Sequence, residues 1–430
     1  MTRGTLLLLA LLLVEAGLAV VSVRSKSPQR RVRMTVRWVE LATFLVLLLG
    51  GVFAWGPRYC AVTSWLSVLA VGSTVAFRLG KGSDRRPRTW RLLAWATVVA
   101  TLTALTVSPA LVFPEYAPLA PTGEHGVGTS FATLTDNSRV DPYEDGTTPR
   151  RLNVGFWYPE PSGRSAGSST FPLVVFSHGG TGIRTSNESL FTELASHGYV
   201  VASIDHPHHS LFTTDTDGTT VWIDRGYLDQ LRIEDAKSRP EQSLRLYEEW
   251  MSIRMADIDF AIDHIVGSAS RESPEGVYRL IDPEELVLAG HSLGGSAALG
   301  IGRTRDDVDA VIALESPFMA DIVGVRDDDF EWEESPYPVP VLNIYSDSSW
   351  EHLDDWPQYA RNHELLDAGS GRALSLHLTG VGHLGLTDLS LASPALTRLL
   401  DGRPAVDARA TLAEINRVCL EFLSQLRGEG

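Results

Sequence analysis

Two hydrophobic rhythms divide the chain. In the first, Thr5–Val23, Val39–Trp55, Ala61–Leu79 and Leu92–Phe113 are long, predominantly apolar runs. A helix needs about 20 such residues to cross a hydrocarbon core about 30 Å thick, so the pattern predicts four transmembrane α-helices. The stretch Phe113-Pro-Glu-Tyr-Ala-Pro-Leu-Ala-Pro121 follows. Its prolines leave little helix or strand potential, and it reads as a stiff connector. Beyond it the apolar runs shorten to strand length: Val127–Leu134, Leu152–Tyr158, Leu173–Ser177, Val200–Asp205, Leu286–Gly290, Ala310–Leu314, Val341–Ser346 and Ala373–Thr379. Helical periodicity fills intervals at Glu188–His197, Leu244–Val266, Ser296–Gly302 and Leu412–Leu426. Uninterrupted apolar strands such as Leu173–Phe176 belong in a parallel sheet covered on both faces, while the first two strands read as an antiparallel edge hairpin. Strands alternating with helices predict an α/β fold, a doubly wound, mostly parallel sheet of about eight strands. The expected organisation is a membrane anchor over 1–113, a Pro-rich linker over 114–122, and one α/β domain over 123–430.

Charge sharpens this division. Residues 1–113 carry 14 Lys+Arg against 3 Asp+Glu, and the remainder carries 23 against 50. So acidic a C-terminal part repels phosphate and argues against a nucleic-acid partner. The loop after the first apolar run holds Arg24, Lys26, Arg30, Arg31, Arg33 and Arg37; that after the third holds Arg78, Lys81, Arg85, Arg86, Arg88 and Arg91; the turn between them has only Arg58. By the positive-inside rule both basic loops face the cytoplasm, which puts everything after residue 113 outside. The alternative, a cleaved signal peptide over 1–23, is disfavoured by a charged start of Arg3 alone, by Glu15 within the run, and by the lack of a clean small-residue cleavage site. Glu15 reads as a carboxylate packed against a neighbouring helix. Two cysteines, Cys60 and Cys419, exclude a disulfide framework and a cysteine-built zinc site.

Candidate chemistry concentrates in the α/β domain. Gly290-His291-Ser292-Leu293-Gly294 follows a buried strand and opens a small-residue helix, the strand–turn–helix context of a nucleophile elbow with Ser292 at its tip. A serine hydroxyl needs a base to become a nucleophile. His383, in a glycine-rich loop after the last strand, stands where the chain order serine–acid–histidine puts it. His377 lies inside the strand, and His352 and His363 fall in a polar stretch. Two carboxylates each follow a strand after the serine, Glu315 and Asp347, and either meets the requirement for an acid that fixes the histidine tautomer. Ser177-His178-Gly179-Gly180-Thr181-Gly182 follows another strand and supplies backbone N–H groups for an oxyanion; the expected donors are the N–H groups of Gly180 and Leu293.

Together these blocks resemble the α/β-hydrolases of the platelet-activating-factor acetylhydrolase type. The resemblance rests on Phe156-Trp-Tyr-Pro159, Phe176-Ser-His-Gly179, Leu194-Ala-Ser-His-Gly-Tyr-Val-Val-Ala202, Arg254–Asp259, Gly290–Gly295, Ile312-Ala-Leu-Glu315, Asn343–Ser346 and Gly382-His383. It implies an α/β-hydrolase fold and a calcium-independent serine esterase that removes short or oxidised acyl chains from phospholipids. It also favours Glu315 as the acid, although the family places aspartate there, and the four apolar spans lie outside its pattern.

The remaining signals are weaker. Asp205-His206-Pro207-His208-His209 looks like a metal cluster but lacks convergent ligands elsewhere, and reads as lining the substrate entrance. Asp215-Thr-Asp-Gly218 fits a hairpin tip. Residues 206–250 are long enough to form a mobile cap, Ser162–Ser169 reads as a flexible loop, and the acidic run Asp327–Glu334 as a solvated one. The expectation is a membrane-anchored serine ester hydrolase without metal or cofactor, acting on a small-molecule or lipid ester. The alternatives are an acyltransferase on the same triad and a non-catalytic sensor on a hydrolase fold.

Overall fold

A computed structural model describes residues 2–25, 29–79, 88–160, 170–360, 362 and 374–428. Ser162–Ser169, Lys26, Lys81–Arg86 and His363 lie outside the described residues. The chain divides into two compact units, Met1–Ala117 with Leu391–Leu396, and Pro118–Ser390 with Thr397–Gly430.

The first unit is built on four helices, α1 (Arg3–Arg24), α2 (Arg30–Leu49), α3 (Cys60–Leu79) and α4 (Thr89–Val112). Three stretches, Arg3–Arg24, Pro57–Leu79 and Thr89–Val112, are long and apolar enough to cross a membrane. The α2 helix departs from the predicted run. It starts at Arg30 rather than Val39 and ends at Leu49, where Gly50 and Gly51 follow and Gly51 takes φ +73°. Glycine is the residue that tolerates that backbone, so only Val39–Leu49 of the predicted Val39–Trp55 is helical. The arginine-rich first half of α2 keeps it less apolar than its neighbours.

Close backbone approach and polar pairs hold the bundle. A Cβ on Gly4 would lie 2.5 Å from the Ala110 carbonyl oxygen. Trp38 Nε1 donates to Thr74 Oγ1 at 2.9 Å, and Trp65 Nε1 to Thr103 Oγ1 at 3.0 Å. Glu15 has a partner that its position in an apolar run did not reveal. Arg37 of α2 pairs with Glu15 of α1 and, at 3.0 Å, with Glu40, and both Glu15 and Arg37 are buried. Meanwhile Leu13, Leu49 and Leu79 stand exposed, an outward apolar surface of the kind that marks contact with something other than water.

Among its described residues the second unit has twelve strands: β1 (Val127–Val140), β2 (Pro149–Pro159), β3 (Phe171–Ser177), β4 (Val200–Asp205), β5 (Phe212–Thr214), β6 (Thr220–Trp222), β7 (Ile281–His291), β8 (Ala310–Leu314), β9 (Ile322–Arg326), β10 (Asp329–Trp332), β11 (Val341–Ser346) and β12 (Leu374–Leu378). Eight form one sheet in the order β1-β2-β4-β3-β7-β8-β11-β12. Pairing is antiparallel from β1 through β4 and parallel from β4 to β12. Every residue of β4, β8 and β11 is buried, so both faces are covered, as the uninterrupted apolar runs require. The covering helices include α5 (Glu188–Ser196), α7 (Pro240–Ala269), α8 (Leu293–Thr304) and the C-terminal helix Ala408–Arg427. Here α7 packs on α8, and α5 on the C-terminal helix. The intervening α6 (Arg225–Ile233) is capped by Asp224, whose side chain accepts from Tyr227 N.

Two small hairpins stand outside the sheet. In β5–β6 the tip falls at Asp215–Gly218, with Gly218 at φ +91°. The second, β9–β10, replaces the solvated loop expected over Asp327–Glu334. Asp327 and Asp328 turn the chain at φ +54° and +67°, a geometry that aspartate tolerates in two-residue hairpins. Alternation then sends Phe330 and Trp332 inward, where both are buried, so aromatic burial outweighed the local charge.

Candidate active site

Ser292 alone joins β7 to α8, at φ +53° and ψ −126°. A side-chain-bearing residue held there is strained by about 1–3 kcal/mol, and close packing around it enforces the turn. A Cβ on Gly294 would lie 2.2 Å from the Ser177 carbonyl oxygen, and one on Gly290 would lie 2.5 Å from Gly295 N. Ser292 N donates to Leu314 O at 2.8 Å, which ties the elbow to the end of β8. The glycines of the motif are therefore required by contact with neighbouring backbone.

Glu315 follows β8 directly and also takes a positive φ, +51°. Its buried carboxylate accepts from Ser346 N at 3.1 Å, and its Oε1 lies 3.3 Å from Nδ1 of His383. The His383 ring is 31% exposed. Packing around that ring disfavours its charged form, but the hydrogen bond and charge of Glu315, with a further contribution from Asp401, raise its pKa above the usual 6.5. Burial pushes Glu315 upward, yet the bond and charge of His383, then Ser346 and Ser349, hold its carboxyl below the usual 4.5. The His383 loop is fixed by its backbone. His383 N donates to Ser348 Oγ at 3.0 Å, and Asp401 accepts from Leu384 N at 2.5 Å and Gly385 N at 3.2 Å. His291, beside the serine, has Nε2 3.2 Å from the His383 carbonyl oxygen. Burial, then the nearby His383 charge, pushes His291 down to about 3, so it is neutral around pH 7 and its Nε2–H donates.

Asp347 is engaged elsewhere. Its carboxylate meets Nε2 of His377 at 2.7 Å and accepts from Gly380 N at 2.8 Å. The His377 ring in turn stacks on Trp350, with centroids 4.8 Å apart. Of the two carboxylates left open by the residue pattern, Glu315 is the one facing His383.

The loop Ser177–Gly182 is locked through its carbonyls. Arg254 of α7, fully buried, donates to the carbonyl oxygen of His178 at 2.5 Å and to that of Gly179 at 3.2 Å. Tyr227 Oη donates to the Gly180 carbonyl at 2.8 Å. Three consecutive carbonyls are thereby committed to protein donors. Leu293 opens α8, where the first N–H groups have no intrahelical acceptor. Ser292, Leu293, Gly180, Glu315 and His383 all line one cavity of about 340 Å³. Leu231, Trp250 and Met319 supply apolar wall, so the segment expected as a cap contributes through the end of α6 and the start of α7. A wider hollow of about 820 Å³ beside β9–β10 includes none of the candidate residues.

The histidine-rich loop does not line this cavity. His206 Nδ1 meets Asp257 Oδ2 at 3.0 Å and its Nε2 meets Ser177 Oγ at 2.9 Å. Asp257 is held doubly by Arg150, at 2.7 and 3.1 Å. The order Ser177–His206–Asp257 mimics a catalytic relay, but these side chains are at most 1% exposed and sealed from any substrate. Burial pushes His206 down to about 4, the bond from Asp257 opposing it. His209 stacks face to face on Tyr227 at 3.8 Å. The correction has a physical basis: a His/Asp-rich segment leaving a central strand is drawn into the polar seam under α7 because Arg150, Arg254 and Asp257 need buried partners. Arg254 and Asp401 were missed as site residues. The signal for Arg254 was a charged residue on the buried stripe of α7, in step with Tyr247, Trp250, Met251 and Ile258; Asp401 gave none.

The chain and its fold have relatives. Residues 162–429 match the family model described as platelet-activating factor acetylhydrolase, isoform II. A platelet-activating factor acetylhydrolase of Cavia porcellus is 23% identical over 60% of this chain and 58% of its own length. A cutinase of Thermobifida fusca is 28% identical over 51% of this chain and 58% of its own. A ferulic acid esterase from Streptomyces cinnamoneus superposes with a TM-score of 0.56 at 23% identity, over 72% of this chain and 92% of that one, which identifies the fold as that of an α/β-hydrolase. The chain spans a little over half the length of these two curated relatives. Since the family model covers more than half of the chain, and its range includes Ser177–Gly182, Gly290–Gly294 and the His383 loop, the chain belongs to the platelet-activating factor acetylhydrolase isoform II family.

Proposed function

We propose that this chain is a membrane-anchored serine hydrolase of carboxylic esters. The observation that carries the reading is the convergence of Ser292, the His383–Glu315 pair, Leu293 and Gly180 on one cavity. His383, with Nδ1 turned to Glu315, presents Nε2 as the base that takes the Ser292 proton. Ser292 Oγ attacks the ester carbonyl, the two backbone N–H groups hold the oxyanion, and protonated His383 returns the proton to the leaving alcohol. Water, deprotonated by the same histidine, attacks the acyl-enzyme, and the acid departs with Ser292 restored. A cavity of about 340 Å³ is at the small end for ligand sites and favours a short acyl chain.

The N-terminal unit acts as the anchor. Its three apolar helices supply crossings, and the fourth is placed on the apolar run Val39–Trp55, which begins in the second half of α2 and leaves Arg30–Arg37 on the cytoplasmic side, with Arg37 paired to Glu15 and Glu40. Four crossings with both basic loops inside leave the hydrolase domain outside the cytoplasm.

A fluorophosphonate probe on the purified full-length protein tests the reading. Labelling of wild type that is lost in Ser292→Ala and His383→Ala, with p-nitrophenyl acetate and butyrate turned over faster than longer esters, is the expected result. A folded wild-type protein that neither labels nor hydrolyses any ester refutes it.

A further inference from the structure

The cavity around Ser292 has an acidic end. Glu234 closes α6 and lines the same cavity as the serine, half-buried, with its Oε1 accepting from Tyr247 Oη at 2.6 Å. Tyr247, which holds Glu234, lines the same cavity together with Trp250 and Trp356. Glu315 is the other carboxylate on the lining, and its charge is committed to His383. Among the described residues no lysine or arginine lines the cavity. A substrate that fills this space therefore meets one fixed negative charge flanked by aromatic rings, without a lining cation to offset it. Such a surrounding attracts ammonium groups by charge and by the ring faces, and repels carboxylates at close range.

We propose that Glu234 sets a charge preference in the site: among esters of equal size, those with an ammonium group on the part reaching Glu234 are turned over fastest, neutral ones more slowly, and those with a carboxylate slowest. This rests on the esterase reading above and adds to it the class of substrate the site takes and the class it rejects. The chemistry at Ser292 is unchanged; the discrimination lies in how well each substrate's remote group is accommodated while the carbonyl is attacked.

Three p-nitrophenyl esters with the same five-methylene spacer provide the test: 7,7-dimethyloctanoate, 6-(trimethylammonio)hexanoate and the heptanedioate monoester, each rate divided by its own alkaline hydrolysis rate. The readout is the ratio of kcat/KM for the cationic ester to that for the anionic one, on the full-length protein in neutral detergent. Wild type is expected to favour the cation by about tenfold or more, the factor for a differential interaction of about one and a half kcal/mol. In Glu234→Gln the ratio is expected to fall towards one, and in Glu234→Lys to invert. Fluorophosphonate labelling of each variant verifies that it is folded. A wild-type ratio of one or less overturns the inference without any variant, as does a folded Glu234→Gln that keeps the wild-type ratio. Absence of turnover for all three esters, together with absence of Ser292-dependent labelling, instead overturns the hydrolase reading and the inference with it.

Discussion

Replacing Glu315 by glutamine probes the reasoning about the site most directly. The side chain keeps its size and an oxygen for the Nδ1–H of His383, but loses its charge 3.3 Å from that ring. At this separation, with an effective dielectric of 20, the gross attraction to an imidazolium is roughly 5 kcal/mol. Part of it is screened because the His383 ring is 31% exposed, which leaves about 3–4 kcal/mol, or about 10²–10³ in kcat. The pH profile carries a second signature. The base works only when neutral, so kcat/KM falls as pH drops through the His383 pKa, and in wild type that limb is expected above 6.5. Without the Glu315 carboxylate, burial is opposed only by the smaller contribution of Asp401 and the limb moves to lower pH. Stability follows the same pair. The raised His383 contributes below 6.5 and loses its contribution as pH rises through its folded pKa. The lowered Glu315 contributes above 4.5 and loses it as pH falls through its folded pKa. The deficit in Tm of Glu315→Gln is therefore largest between those values. Steady-state hydrolysis of p-nitrophenyl butyrate from pH 5 to 9, with thermal denaturation over the same range, measures both. A variant within tenfold of wild type with an unmoved acid limb refutes a role for Glu315 on His383.

Other perturbations reach different parts of the molecule. Arg254→Met strips the donors from the His178 and Gly179 carbonyls; kcat should fall by about 10²–10³, as for loss of one oxyanion donor, with KM little changed, and Arg254→Lys should recover part of it. Gly294→Ala forces a Cβ to within 2.2 Å of the Ser177 carbonyl oxygen, so fluorophosphonate labelling should slow by at least about tenfold through displacement of the elbow. In the N-terminal unit, Arg37→Leu leaves Glu15 buried without its cation and should lower the melting temperature in detergent, by an amount set by the ~3–5 kcal/mol typical of a broken buried pair. The double variant Glu15→Leu/Arg37→Leu should melt above the single one; an equal or lower value would show that the pair does not act as a unit.

Much of the hydrolase fold was legible because each strand carried its own signal. Leu173–Phe176 and Leu286–Ala289 are apolar enough to be buried on both faces, and the antiparallel β1–β2 pair precedes them. The elbow was legible for a steric reason: Gly290 and Gly294 meet backbone at distances that no side chain survives, so a G-x-S-x-G between strand and helix carries its geometry with it. Glu315 and Asp347 could not be separated by position, since each ends a strand. What distinguishes them is long-range: Asp347 is taken up by His377 and Gly380, while Glu315 faces His383. Pairings of that kind, like Glu15 with Arg37, join separate elements and leave no trace in local periodicity; for Arg254 the period of α7 marks its burial but not the two loop carbonyls it holds. The end of α2 at Leu49 was obscured differently, because apolar residues continue past the glycines that stop the helix.

Ser292 and Glu315 share a property unrelated to their polarity: both occupy left-handed backbone that suits glycine better than any residue with a side chain. A glycine at either place would relax the chain by up to a few kcal/mol and remove the chemistry in the same stroke. On the proposed mechanism the fold therefore carries strain at both corners that a glycine would relieve only at the expense of turnover.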